Sequence, residues 1–291
     1  MEDGGSVTLE DQIRAACVLE ATARKAGNVH PLLSFPDLTY RDFVKSADAI
    51  APILARTRQL GIGEAILGSV MATQKRVGRN TNLGMILLLA PLAAVPSNVR
   101  LVDGIAPVLQ RLSREDAELA YRAIRLAQPG GMGHVESQDL SEPPTMTLLE
   151  VMRLAADRDL IARQYADSFS LVLDFGMRYL TQVEDFRRHW EPAIVGLQLE
   201  LLSRHADSLI VRKCGREVAE DASRRAVGVL SAARPGTPRA QEALNEFDRW
   251  LRADGNRRNP GTTADLIAAM LFAAFRDGGV PVMSPPPAPG L

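Results

Sequence analysis

The sequence predicts an all-α protein, a single multi-helix globular domain of about ten or eleven helices whose site is formed by loops and helix ends. Apolar residues recur at steps of three and four, as in Leu148, Leu149, Met152 and Ala155. Alternating β-strand patterns are nearly absent, and aromatic residues make up only 5% of the chain. Four pairs of Thr or Ser with an acid three residues later are typical of capping boxes at helix starts: Thr8/Asp11, Thr39/Asp42, Ser113/Asp116 and Thr262/Asp265.

The periodicity predicts the helices in chain order. They lie near residues 8–26, 39–60, 63–76, 82–95, 101–111, 114–127, 146–180, 186–210, 215–232, 238–254 and 263–277. The run from Leu83 to Val95 is the most apolar, but it is shorter than the roughly 20 residues that cross a bilayer, so we expect a buried helix. Residues 1–283 are predicted to form one all-helical domain, and the Pro-rich residues 284–291 a disordered tail.

Composition excludes several classes of protein. The 291 residues carry 34 Lys and Arg against 35 Asp and Glu, so no overall field attracts nucleic acid or an anionic membrane. Cys17 and Cys214 are far apart and outside any CxxC spacing, and the four His residues lack HxxxH spacing, which argues against a disulfide framework or a zinc site. The acidic, polar start lacks the pattern of a secretory signal, so a cytoplasmic location is expected.

The first polar cluster follows the first predicted helix. Glu20, Lys25, Asn28 and His30 place an acid, a base, an amide and an imidazole close together around Gly27. Such a set suits a ligand site. The same residues are also typical of a helix that ends in basic residues at a glycine, with no ligand.

The second polar cluster opens the most apolar helix. Arg79, Asn80 and Asn82 stand where exposed backbone amides could hold an anion. The alternative is an Asn or Thr cap on a core helix.

The last two clusters lie toward the C-terminal end of the chain. In one, Asp207 could bind a metal ion and Arg212, with Lys213, phosphate oxygens; alternatively, Asp207 pairs with a base inside the protein. In the other, the loop at 257–262 delivers polar groups to the helix that carries Asp265, which a structural cap also explains.

In this order, the clusters resemble the triphosphoribosyl-dephospho-CoA synthase family, all-helical enzymes that make the prosthetic-group precursor of citrate lyase and malonate decarboxylase. The resemblance covers roughly residues 12–278. Residues 80–84 (NTNLG) resemble its asparagine-threonine-histidine-lysine-glycine motif, and residues 259–266 (NPGTTADL) its serine-proline-glycine-glycine-serine-alanine-aspartate-leucine motif. Residues 207–212 resemble its aspartate-threonine-asparagine segment, and residues 27–30 with Asp37 and Asp42 resemble its lysine-proline-glycine segment and the acids that follow.

The resemblance implies an ATP-dependent triphosphoribosyl transferase that uses Mg²⁺ with ATP as substrate. Adenine leaves C1 of the ATP ribose, and a hydroxyl of 3′-dephospho-CoA takes its place. For this chain the resemblance implies that Asp207 and Asp42 bind Mg²⁺ or act as the base, and that Asp265 and Glu20 are catalytic residues that support them. The expected substrate-binding residues are Lys25, Asn28, His30, Arg79, Asn80, Asn82, Arg212 and Lys213.

Three departures from the family motifs leave the acceptor open. Lys25 is followed by Ala26 instead of proline, Asn82-Leu83 replaces a histidine-lysine pair, and Arg212 is followed by Lys213-Cys214 instead of glycines. Residues 28–30, 80–84 and 129–131 are similar to a divergent branch in archaea and in bacteria with methanogen-type cofactors. One alternative is thus a related enzyme of tetrahydromethanopterin or methanofuran-type one-carbon cofactor biosynthesis. A second alternative is a non-catalytic helical binding protein. The expected partners are small-molecule substrates, with a possible homodimer, and neither nucleic acid nor membrane.

Overall fold

Fifteen α-helices make up the regular structure of residues 7–130, 138–232 and 237–285, which are the residues that the computed structural model describes. They contain no β-strand, which confirms the all-α prediction, although the helices outnumber the predicted ten or eleven. A π-helical turn, Leu171–Gly176, directly precedes α10. The helices are Leu9–Thr22 (α1), Tyr40–Leu54 (α2), Thr57–Leu60 (α3), Ile62–Val77 (α4), Leu83–Ala94 (α5), Leu101–Gln110 (α6), Arg114–Ala127 (α7), Leu148–Ala155 (α8), Leu160–Ala166 (α9), Met177–Thr181 (α10), Phe186–Arg204 (α11), Ser208–Cys214 (α12), Arg216–Ala232 (α13), Pro238–Arg252 (α14) and Gly261–Arg276 (α15).

The prediction of one helix over 146–180 is wrong. Its apolar periodicity continues across two breaks, so the pattern hides them. Asp159 begins a new helix, because its Oδ1 accepts hydrogen bonds from the N–H groups of Ile161 (2.8 Å) and Ala162 (3.2 Å). After α9, Ser168 and Phe169 adopt the left-handed conformation with φ of 56° and 63°, which ends the helix.

Two further predicted helices are each divided in two. The predicted helix at 186–210 ends at Arg204, and Asp207 caps α12 through the N–H groups of Leu209 and Ile210. The predicted helix at 39–60 is divided into α2 and α3. A cap within a helical pattern therefore accounts for part of the excess of helices.

Three of the four predicted capping boxes are confirmed, at Thr8/Asp11, Thr39/Asp42 and Ser113/Asp116. The box at Thr262/Asp265 is wrong. Helix α15 begins at Gly261, so both residues lie inside it, and the Asp265 carboxylate lies against the start of α5 instead. This difference in the start of α15 determines where the Asp265 carboxylate lies.

The core is built around α1, α5 and α15, which contact one another. Helix α5 is apolar around its whole circumference, and every one of its residues except Ala94 is buried, as predicted for the run from Leu83. Helix α15 is buried along nearly all of its length. A separate apolar cluster joins α11, α12, α13 and α14. The N-terminal ends of α5 and α15 thereby meet the C-terminal end of α1.

Within the three described ranges, no helix combines the length and the hydropathy that are needed to span a membrane. The predicted disordered tail lies for the most part, at residues 286–291, outside the described residues.

Candidate active site

A cleft of about 1290 Å³ opens where the end of α1 meets the starts of α5 and α15. Helices α7, α8, α9 and α12 and the loop before α15 complete its walls. Four of the predicted site residues do not line it: Lys25, His30, Asp42 and Asp207. The predicted residues that do line it are Glu20, Asn28, Arg79, Asn80, Asn82, Arg212, Lys213 and Asp265.

Glu20 presents a buried carboxylate at the end of α1. Its Oε1 lies 2.9 Å from Nζ of Lys25, which also donates to the backbone oxygens of Glu20 and Ala23. These three contacts match the three N–H donors of the ammonium group, and Lys25 is 1% exposed. Burial raises the pKa of Glu20, and the Lys25 charge opposes that rise. Lys25 therefore acts on Glu20 and has no donor left for a ligand.

Asp265 faces Glu20 from the second turn of α15. Its carboxylate lies directly over Gly84 at the start of α5, where the neighbouring backbone N–H of Met85 acts to lower its pKa. Burial and the neighbouring Glu20 and Asp207 carboxylates raise the pKa of Asp265 well above its ordinary value. Two acids from different helices thus share one end of the cleft.

Asp207 is a buried residue that links α12 and α15 through hydrogen bonds. Its Oδ1 accepts from the N–H groups of Leu209 (2.9 Å) and Ile210 (3.1 Å). Its Oδ2 accepts from the N–H and Oγ1 of Thr263, both at 2.8 Å. Burial raises the pKa of Asp207, and these four hydrogen bonds oppose the rise. The carboxylate holds the start of α15, and hence Asp265, in place.

The start of α5 carries the asparagines of the second predicted cluster. Asn80 caps this end, because its Oδ1 accepts from the N–H groups of Asn82 (3.3 Å) and Leu83 (3.1 Å). Asn82 is 4% exposed, and its Oδ1 accepts from Oγ1 of Thr73. In the described part of the chain, Nδ2 of Asn82 has no hydrogen-bond partner. The second predicted cluster therefore contains both a helix cap, Asn80, and a buried hydrogen-bond donor at the cleft, Nδ2 of Asn82.

Asn28 belongs to a buried amide network that fixes the loop after α1. Its Oδ1 accepts from Nε2 of Gln198 (2.9 Å), and its Nδ2 donates to Oδ1 of Asn259 (2.7 Å). Gln198 also exchanges two hydrogen bonds with the backbone of Ala26. Gly27, with φ of 74°, makes the turn, and its N–H donates to Asp248. The network couples the two polar loops that border the cleft.

The cleft is also lined by basic side chains, which we call the basic wall. Arg212 donates to Oδ2 of Asp159 (2.6 Å), and its buried Nε has no partner among the described residues. Arg257 donates to the backbone oxygen of Lys213, which fixes the loop before α15 against the end of α12. The cationic side chains that line the cleft include Arg79, Arg158, Arg212, Lys213 and Arg257.

Two predicted site residues lie away from the cleft. Asp42 is part of the capping box of α2, where its Oδ2 accepts from the N–H and Oγ1 of Thr39. His30 accepts from the N–H of Leu32 through Nδ1, at 3.3 Å. Burial and the Arg252 charge lower the pKa of His30 to about 4, so it is neutral near pH 7.

Asp159 and Asn259 are the functional candidates to which sequence analysis assigned no role. Asp159 precedes the apolar Leu160 and Ile161, a pattern typical of a helix start, and this signal could have found it. Its connection to Arg212, 53 positions away, has no local signal. Asn259 had been treated as part of a loop motif, whereas it binds Asn28 across the cleft edge.

The acids of the cleft fit a magnesium ion that is also bound by a substrate. They do not form a metal site on their own. Within the described ranges, no group of three or more His, Cys, Asp and Glu side chains could hold a metal ion. Magnesium commonly takes only one or two carboxylates, because substrate phosphates and water supply its other ligands. Glu20 and Asp265, which face each other in the cleft, satisfy this smaller requirement.

The general class of the protein is defined by an all-helical fold with acidic and basic side chains in one cleft. Comparison with known proteins shows that the protein is a transferase. The model of the CitG family, ATP:dephospho-CoA triphosphoribosyl transferase, matches residues 6–281. The chain therefore belongs to this family, which confirms the resemblance and the enzyme class predicted from the sequence. No curated protein matches the chain.

A solved structure supports the same placement. It is that of a "putative triphosphoribosyl-dephospho-CoA synthase" from Archaeoglobus fulgidus, with 28% sequence identity and a TM-score of 0.63. The similarity covers 80% of this chain and 98% of that one.

Proposed function

We propose that the protein transfers the triphosphoribosyl group of ATP to the ribose 2′-hydroxyl of 3′-dephospho-CoA. The bond between C1 of the ATP ribose and adenine breaks, and a bond from C1 to the acceptor oxygen forms. The proton of the acceptor hydroxyl is removed, and adenine leaves. Family membership supports the reaction class. One observation carries the assignment to this cleft, namely that two acids on α1 and α15 line the same cleft as the basic wall.

The acids suit the reacting end of ATP. A developing positive charge at C1 is stabilised by nearby carboxylates, and the acceptor hydroxyl needs a general base. Glu20 and Asp265 offer both, and together with the triphosphate they would hold Mg²⁺, which neutralises phosphate charge when bound. Assignment of the metal to Asp207 and Asp42 stays a prediction, but their hydrogen bonds favour structural roles.

The basic wall suits the triphosphate. Arg212 and Lys213 lie at the end of α12, and Arg79 lies before α5, so cations border the cleft on two sides. The start of α5 adds the unpaired Nδ2 of Asn82. A substrate with several phosphates satisfies these donors together. Because ATP is the donor, we propose a cytoplasmic location.

The first experiment measures adenine release from ATP as a function of Mg²⁺ and dephospho-CoA, with mass spectrometry of the product. We expect Asp265→Asn to lower the rate by at least about 100-fold. Asp48→Asn is the matched control, because Asp48 lies outside the cleft and pairs with Arg14 on the surface. Wild-type protein that binds no Mg-ATP would contradict the proposal. Adenine release with other phosphorylated acceptors, but not with dephospho-CoA, would favour the one-carbon cofactor alternative.

A further inference from the structure

The cleft lining also includes a group of aliphatic side chains, most of them on α7 and α8. We call this surface the apolar wall; its residues are Ile124, Leu126, Leu140, Leu148, Val151 and Leu154.

Two leucines of the apolar wall are open to solvent. Leu154 is 50% exposed and Leu126 is 40% exposed, and both line the cleft. Leu148, Val151 and Leu154 recur every three residues along α8, which places them on one side of the helix. Exposed apolar surface inside a cleft is typical of a ligand contact, because contact with an apolar group removes it from water.

The size of the cleft supports a second ligand. Pockets for single small molecules commonly span about 300–1000 Å³. The volume of about 1290 Å³ exceeds that range. A triphosphate bound near Arg212 and Asp265 therefore leaves part of the cleft for another group.

We propose that the apolar wall binds the long uncharged arm of the acceptor, and this inference rests on the proposed function. A dephospho-CoA acceptor consists of a nucleotide with a phosphate bridge and a pantetheine arm without charge. The arm has little to gain from the basic wall, whereas its methyl and methylene groups match the leucine side chains. With the arm against α8, the charged part of the acceptor extends toward the acids, where the transfer takes place. The apolar wall then selects acceptors that carry such an arm.

The test compares Leu154→Ser with Met71→Ser. Met71 is a matched control, because it is 54% exposed on a helix but does not line the cleft. We expect Leu154→Ser to raise the KM for dephospho-CoA by about five- to tenfold, because the arm loses an apolar contact. The KM for ATP should stay within about twofold. ADP, which is dephospho-CoA without the arm, is measured as an inhibitor competing with dephospho-CoA at saturating Mg-ATP, and its inhibition constant should not change.

Each other outcome overturns the inference in a recognisable way. Equal effects on ATP and dephospho-CoA, or an equal effect of Met71→Ser, would show that the leucine does not contact the arm. Loss of an oligomer in Leu154→Ser, with unchanged KM values, would assign the apolar wall to an interface between copies of the chain. A wild-type protein that neither binds Mg-ATP nor releases adenine would remove the proposed function itself, and the inference with it.

Discussion

Replacing Gly84 by alanine tests whether the position of the Asp265 carboxylate matters for transfer. A Cβ atom built on Gly84 would overlap Oδ2 of Asp265, and it would lie 2.5 Å from Cγ of Asp265 and 2.7 Å from Cδ1 of Ile161. Real Cβ atoms essentially never come closer than 3.0 Å to such neighbours. Glycine at this position therefore leaves the space that the carboxylate occupies.

The expected loss follows from this overlap. The Asp265 carboxylate must move by about 1 Å, and a misplacement of that size in an active site can lower the rate by about 100-fold. The effect on folding is smaller, because two contributions oppose each other. Overpacking costs about 1–3 kcal/mol, whereas alanine in a helix gains up to about 1 kcal/mol over glycine. We expect a net loss of about 0–2 kcal/mol in the free energy of unfolding.

The assay is adenine release under saturating Mg-ATP, together with chemical denaturation of the same samples. Gly68→Ala is the matched control, because a Cβ atom at Gly68 in α4 meets only Cγ2 of Ile53 at 3.6 Å, an ordinary contact. It should keep its activity and gain up to about 1 kcal/mol of stability. A folded Gly84→Ala protein with at least half of the wild-type rate would refute the role given to the carboxylate position.

Three further predictions concern residues that were expected in the site but that make contacts within the protein. Asp207→Ala should lose about 2–4 kcal/mol in the free energy of unfolding by denaturation, because the buried donors of Thr263 lose their acceptor; a loss of Mg-ATP binding without this destabilisation would contradict it. Lys25→Met should cost about 3–5 kcal/mol in the same measurement, because it leaves the Glu20 carboxylate buried and unpaired; Glu20→Gln in the Lys25→Met background should recover part of that loss. The pKa of His30 is about 4 in the folded protein, below its ordinary value of 6.5, so the unfolded chain binds the proton first and stability falls as pH drops from 6.5 to 4. His30→Gln should remove about 1 kcal/mol of that fall by pH 5 in denaturation measurements, and an unchanged slope would contradict it.

The sequence predicted those features of the fold that depend on composition along one helix. Helix α5 is apolar on every side, so burial was the only arrangement that its residues allow. The division of 146–180 could not be predicted in the same way. Ser168 and Phe169 are not residues that favour the left-handed conformation, and tertiary packing holds them there. At Asp159 a local signal for a helix start was present, but the apolar periodicity continues across it and hides the break.

The candidate site could be predicted as a set of helix ends, but not as an arrangement of acids. Asp207 and Asp265 both stand near helix starts in the sequence, and either could face a ligand. Their roles differ because α15 begins at Gly261, two residues earlier than predicted. This start places the N–H of Thr263 against Asp207 and directs Asp265 toward Gly84. Such a difference depends on the contact between α12 and α15, which leaves no periodic signal.

Hydrogen-bond capacity decides which acid can serve a substrate. A carboxylate accepts about four hydrogen bonds, and Asp207 already accepts four from the backbone and side chain of its neighbours. A metal ion at Asp207 would have to displace donors that are buried with it, at the cost of leaving them unpaired. Glu20 and Asp265 instead face the cleft, where an incoming ligand exchanges with water. The hydrogen-bond network that favours a structural role for Asp207 therefore also holds Asp265 in the position that the proposed function requires.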